Sequence, residues 1–143
     1  MPVVGNMVHV MVGDLGIALH TAKTPSQAEW AAWMESIRAV PSARLRVLAL
    51  TDGGGPNTVQ RSEFVKYLAG AKTRIAVVSD ALVVRGIVTA LSWFTNGIRI
   101  FVPEQFHEAV AHLDLTKAER EEVKERVQQM ARSLELVRAM RGI

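Results

Sequence analysis

The stretch TRIAVVSDALVVRGIVTALSWFTNGIRIFVPEQFHEAVAHL, Thr73 to Leu113, decides the fold. Two short β-branched runs, Ile75 to Val78 and Ile98 to Val102, flank an apolar segment from Ala81 to Phe94. Strand, helix, strand, helix is the pattern of a parallel βαβ unit. Neither run alternates cleanly between apolar and polar residues, as expected of strands covered by helices on each side. Ser79 or Asp80 is the expected cap of the first helix.

Upstream, residues 7 to 20 predict a hairpin. MVHVMV and GIALH stand on either side of the turn Gly13-Asp14. A helix is expected over about 25 to 39, with Thr24 as N-cap, Pro25 in the first helical position and Gln27 closing a capping box. Trp30, Trp33, Met34 and Ile37 recur at three- and four-residue steps and give it one buried face. Arg44 to Thr51 is the next strand. Asp52-Gly-Gly-Gly-Pro56 ends it, and Asn57 with Gln60 opens a helix whose apolar side carries Phe64, Val65 and Leu68.

Downstream, Thr116 and Glu119 form another capping box, and helical sequence runs to about Arg141. Val123, Val127, Met130, Leu134 and Val137 step by four, three, four, three, a short heptad seam. Such a helix would reach nearly 40 Å at about 1.5 Å per residue. Asp114 to Thr116 is the joint, so residues 1–113 read as a core domain and 114–143 as a helical extension. The fold class is α/β: a mixed sheet with helices packed on it and a long C-terminal helix. The helix after Val78 carries Val84, Ile87, Val88 and Leu91 and is apolar nearly all round. One sheet buries only one side of it, so the tail or a second subunit must cover the other. Packing of the seam on its own core and pairing with a partner helix both fit the pattern.

Composition narrows the function. At 143 residues there is room for one domain with a substantial core, and a 49% apolar fraction suits a globular chain. Cysteine is absent, which removes disulfides, thiolate metal sites and thiol nucleophiles and fits a cytoplasmic protein. The N-terminus has no basic segment or cleavage pattern of a signal peptide, and no apolar run spans a membrane. The net charge of +3 is spread among acidic residues such as Glu119, Glu121, Glu122 and Glu125, with no basic strip for nucleic acid.

Candidate chemistry is sparse. The turn Asp52, Gly53, Gly54, Gly55, Pro56, Asn57, Thr58 lies between a strand and a helix start, where backbone amides hold anions. A P-loop needs Lys then Ser or Thr after its last glycine, and Pro56-Asn57 stands there instead. His107 and His112 lie about 140° apart on a helix and cannot chelate one ion. Ser79, Ser92, His9 and His20 fit no nucleophile spacing, and Asp52 and Asp80 stand alone at predicted strand ends. No metal and no cofactor is expected, and no catalytic residue is assigned.

The element order β-β-α-β-α-β-α-β-α over residues 7 to 113 resembles a STAS domain, the anti-sigma-factor-antagonist fold, and especially its SpoIIAA-like relatives. RLRVLALTDGGGPNT stands where that family has a strand, an Asp-containing loop and a helix start. TRIAVVSDALVVRGIVTALSWF is the other most specific part of the resemblance, and GIRIFVPEQFHEAVAHL is similar to the family's closing strand and helix. The resemblance implies a bacterial, cytoplasmic, non-enzymatic regulatory or scaffold module acting through protein contact, including as a homodimer. Sigma-regulatory members carry a phosphorylatable hydroxyl in an Asp-Ser-Ser-Gly-like loop. Asp52 matches the Asp, Gly53 and Gly54 occupy the serine positions, and Thr58 is the nearest hydroxyl. Similarity to lipid-carrying SEC14-like domains implies the alternative, a small-ligand binder that takes an anion at Gly53–Thr58 or an apolar molecule. Expected contact surfaces are that loop, the helix of Val84, Ile87, Val88 and Leu91, and the C-terminal seam.

Overall fold

The computed structural model describes residues 5–93, 95–134, 138–140 and 142–143. Val137, the last position of the expected seam, lies outside the described residues. Two strands, β1 (Met7–Val12) and β2 (Leu15–His20), form the hairpin. Their two-residue turn opens on Gly13 at φ +58°, the left-handed start that glycine supplies in a II′ turn. Next come α1 (Gln27–Arg38), β3 (Arg46–Thr51), α2 (Thr58–Leu68), β4 (Arg74–Val78), α3 (Leu82–Leu91) and β5 (Ile98–Phe101). A single 3-10 turn (Pro103–Gln105) leads into α4 (Phe106–His112). Then α5 (Lys117–Leu134) and a last 3-10 turn (Arg138–Met140) follow.

The five strands lie in sequence order. β1 is antiparallel to β2, and β2 through β5 are parallel. Parallel neighbours joined in one direction by crossovers of one hand place every crossover helix on the same face. The packing follows that rule. Trp30, Trp33, Met34 and Ile37 of α1, Leu68 of α2, and Val84 and Val88 of α3 share one core with Ala18, Val47, Ile75 and Val77. The opposite face, Ile17, Leu19, Leu48, Leu50, Ala76 and Val78, is covered by α4 and α5 through Phe106, Val110, Val123 and Val127. The mixed α/β sheet with a long C-terminal helix is as expected. The second core joins residues from both sides of the Asp114–Thr116 joint.

That joint is clamped. The Arg46 guanidinium donates to the carbonyls of Leu113 and Asp114, both at 3.3 Å, and to Glu119 at 3.2 Å. The Thr116 N–H and the Arg46 charge hold the Glu119 carboxyl below its ordinary range, outweighing its slight desolvation. The Thr116–Glu119 capping box forms, and so does the Asn57–Gln60 box.

Three local expectations need correction. The cap of α1 is Ser26, not Thr24: Ser26 Oγ accepts from Glu29 N at 3.1 Å, and Glu29 returns the bond at 2.8 Å. Glu29 also accepts the N–H groups of Asn6 and Met7, so a tertiary anchor fixes the cap position. Neither Ser79 nor Asp80 caps α3; its N-cap is Ala81, with no side-chain bond. Ser79 Oγ donates across the sheet to Thr51 O and accepts from Ala81 N. The C-terminal helix does not run unbroken as α-helix to Arg141, since Arg138–Met140 is a 3-10 turn. Asp52 accepts from Ala139 N at 2.9 Å, which returns the chain to the end of β3.

Candidate functional site

In open parallel sheets, function gathers at the carboxyl ends of the strands. Here β2 ends at His20 and β3 at Thr51, paired in register, with Ser79 just beyond β4. The glycine turn folds against this edge. Asp52 N–H donates to His20 O at 3.1 Å, Gly53 N–H to Thr51 Oγ1 at 3.0 Å, and Gly54 N–H to Thr21 O at 2.8 Å. A Cβ on Gly54 would run into the carbonyls of Thr21 and Lys23, so this position admits only glycine. The Asn57–Gln60 box takes up two more donors. The turn therefore spends these amides on its own closure rather than aiming them at an anion. Thr58 is exposed, and its Oγ1 receives Arg61 Nη2 at 3.1 Å.

His9 and His112 are engaged structurally. His9 Nε2 lies 2.9 Å from Ser36 Oγ, and His112 Nε2 lies 2.7 Å from Gly97 O. Among the described residues no group of three His, Asp or Glu side chains gathers as a metal site. Nor is any helix there long and apolar enough to cross a membrane. His20 is fully enclosed. Burial pushes its imidazole down to about 4, against a weaker upward pull from the Glu29 carboxylate.

The expected contact residues divide by burial. Val84 and Val88 are buried against the sheet, and Ile87 and Leu91 are half-buried beside them. A 3.6-residue period puts them on the sheet side, so Val84 and Val88 are core and not partner surface. Val123, Val127 and Leu134 are buried in the chain's own core, and Met130 packs beside them. The seam therefore packs in cis. It lies on the opposite face of the sheet from α3, so the tail does not cover α3.

What remains open on α3 is its other side. Leu82 is 82% exposed, Val83 62% and Trp93 78%, with Val59 of α2 at 76%. This surface is hard to read in a helix apolar nearly all round: the stripe expected to make contact, Val84, Ile87, Val88 and Leu91, faces the sheet instead.

Between the sheet and α1, α2 and α3 lies a cavity of about 100 Å³ with an almost wholly carbon lining. Its floor includes Ala18 and Ala49, direct partners on neighbouring strands. Two alanines in register leave a shallow floor. The roof helix α2 buries only Gln60 and Leu68 and does not press down to fill it. Ala49 stays partly solvent-accessible although it lies on a central strand. The cavity shares Arg61, Ile87 and Leu91 with an outer groove of about 660 Å³ between α2 and α3. The paired alanines of GIALH and RVLALT were the legible signal for it.

Comparison with protein-family models, curated proteins and solved structures finds no match for this chain.

Proposed function

We propose that the chain is a non-enzymatic, cytoplasmic, STAS-like regulatory or scaffold module. It acts through protein contact by self-association on the open side of α3. The observation that carries this reading is that large apolar side chains stand exposed at both ends of one helix, Leu82 and Val83 at its start and Trp93 just beyond its end. A contiguous exposed apolar patch marks an interaction surface. The observed element order, the one expected from the resemblance, supports the STAS-like reading. The structural bonds of Ser79, His9 and His112 support a non-catalytic one.

The pattern on α3 favours a second copy as the occupant. Val83, Gly86, Ala90 and Trp93 are all exposed and step by three, four, three. Trp93 N–H still donates to Ala90 O, so the winding continues past Leu91. The stripe is symmetric about position 88. In an antiparallel pair Val83 meets the second copy's Trp93, while Gly86 meets Ala90 and lets the backbones approach. A Cβ at Gly86 would touch nothing in the chain itself. Removing each large apolar side chain from water contributes about 1.5–3 kcal/mol. A contact of this size gives a reversible dimer with a Kd on the order of 10 μM.

Sedimentation equilibrium across that range tests the reading. Wild type moves from monomer to dimer mass, whereas Val83→Glu, which changes an exposed position, stays folded and monomeric. A wild type that is monomeric at all concentrations, or a Val83→Glu variant that dimerises equally, refutes it.

A further inference from the structure

β1 is an edge strand, and among the described strands it pairs with β2 alone. Thr21 N–H donates to Asn6 O at 3.0 Å, and Met7 stands opposite His20. Alternate residues of an antiparallel strand bond inward, so Asn6, Val8, Val10 and Val12 face β2. Met7, His9 and Met11 turn their N–H and C=O groups outward. Glu29 Oε2 takes the Met7 N–H at 3.1 Å. Among the described residues nothing bonds the outward backbone groups of His9 and Met11. The strand itself, MVHVMV, carries no lysine, acidic residue, proline or bulge, the devices that keep an edge from pairing. We infer that β1 accepts an extended segment of a partner protein as a sixth strand, antiparallel to it: a short uncharged β-branched run followed by a basic residue.

The partner's chemistry follows from the edge. Donors and acceptors on alternate residues are met by an extended backbone of the same repeat, not by a helix or a lipid. Val8 and Val10 are half-buried on the α5 side, beside Met130. His9 lies on the α1 side, against Ser36 and Trp33. A residue beside Val8 or Val10 therefore joins an apolar surface, and one beside His9 meets a polar one, so alternating valine and threonine suits the edge. An antiparallel segment leaves β1 at Met7. There the Glu29 carboxylate, held by the N–H groups of Asn6 and Met7, favours a cation. A second copy of β1 would bring its own turn, Gly13-Asp14, toward the same carboxylate, acid against acid, so a different protein is the fitting occupant. β1 lies at the opposite edge of the sheet from β5, on which α3 packs, so this surface is separate from the exposed side of α3.

The test is a titration of the full chain into the fluorescein-labelled peptide TVTVTKK-amide, followed by anisotropy. Saturable binding is expected, with a Kd on the order of 0.1 mM. The same peptide ending in two glutamates binds about tenfold more weakly. N-methylation of the third residue, opposite His9, removes a ladder bond and weakens binding about tenfold, whereas the N–H of the fourth residue points away from β1 and its methylation changes binding about twofold at most. Met11→Pro removes an outward donor and leaves the β1–β2 bonds in place, so it abolishes binding without changing the far-UV circular dichroism. If that variant does not fold, the two methylated peptides decide the matter. No saturable binding up to about 1 mM protein overturns the inference. So do equal effects of the two methyl groups, equal binding of the glutamate peptide, or binding that survives in folded Met11→Pro. A Val83→Glu protein that dimerises until Met11→Pro is added would make a second copy the occupant, and overturns it too.

Discussion

Val127→Asp is expected to abolish the native state at 25 °C. Val127 is fully buried on α5, which packs on β1 and β2, and shares the core with Val123, Ala131 and Leu134. An unpaired carboxylate there costs at least about 4 kcal/mol, a large part of the total for a domain this size. Val127→Ala leaves a cavity and costs about 2 kcal/mol, while the exposed Glu125→Ala on the same helix stays within about 0.5 kcal/mol. Urea midpoints for the last two, and far-UV circular dichroism for Val127→Asp, check the ordering. For the same reason a chain ending at Leu115 exposes the core face beneath α5 and aggregates. A soluble, unchanged monomer from that truncation would mean the tail is not part of the core.

Acid should destabilise the protein through His20. Its folded value is about 4 and its unfolded value about 6.5, so below pH 6.5 the unfolded chain binds the proton first. The stability from keeping this imidazole neutral is complete above pH 6.5 and is lost as pH falls toward 4. At about 1.4 kcal/mol per pH unit the loss reaches roughly 3 kcal/mol. His9, also lowered by burial, adds in the same direction. Glu29 adds again at lower pH. Burial alone would raise its carboxyl, but the N–H groups of Ser26, Met7 and Asn6 outweigh it, so its contribution disappears as pH falls through its depressed folded value. Urea denaturation at pH 7.5, 5.5 and 4 should show wild type losing stability steeply. His20→Leu should lose clearly less, and parallel curves for the two would contradict the assignment.

Local chemistry was the legible part of the sequence. Gly13-Asp14, Asn57 with Gln60 and Thr116 with Glu119 declare a turn and two helix starts through bonds made within a few residues. The cap at Ser26 was not legible, because Glu29 is fixed there by Asn6 and Met7, more than twenty residues away in sequence. Likewise, the periodicity of α3 shows that one side is buried but not which one. The sheet takes Val84 and Val88, the expected contact residues, and leaves Val83, Gly86 and Ala90 outside. The side of the sheet taken by the tail depends on crossover handedness and strand order, properties of the whole chain rather than of any segment. His20 and Trp30 came together at one cavity only once β2 and α1 were packed.

The absence of cysteine permits a direct test of contact through α3. Thr89→Cys places a single thiol at an exposed position in the middle of α3, beside the stripe, and leaves Gly86 in place for the close approach of the two backbones. Glu125→Cys, exposed on α5 on the opposite face of the sheet, is the control. The measurement is the rate of covalent dimer formation with a short bismaleimide at protein concentrations near the expected Kd. Contact of α3 with a second copy predicts rapid cross-linking of Thr89→Cys and slow cross-linking of Glu125→Cys. Equal rates for the two would contradict it.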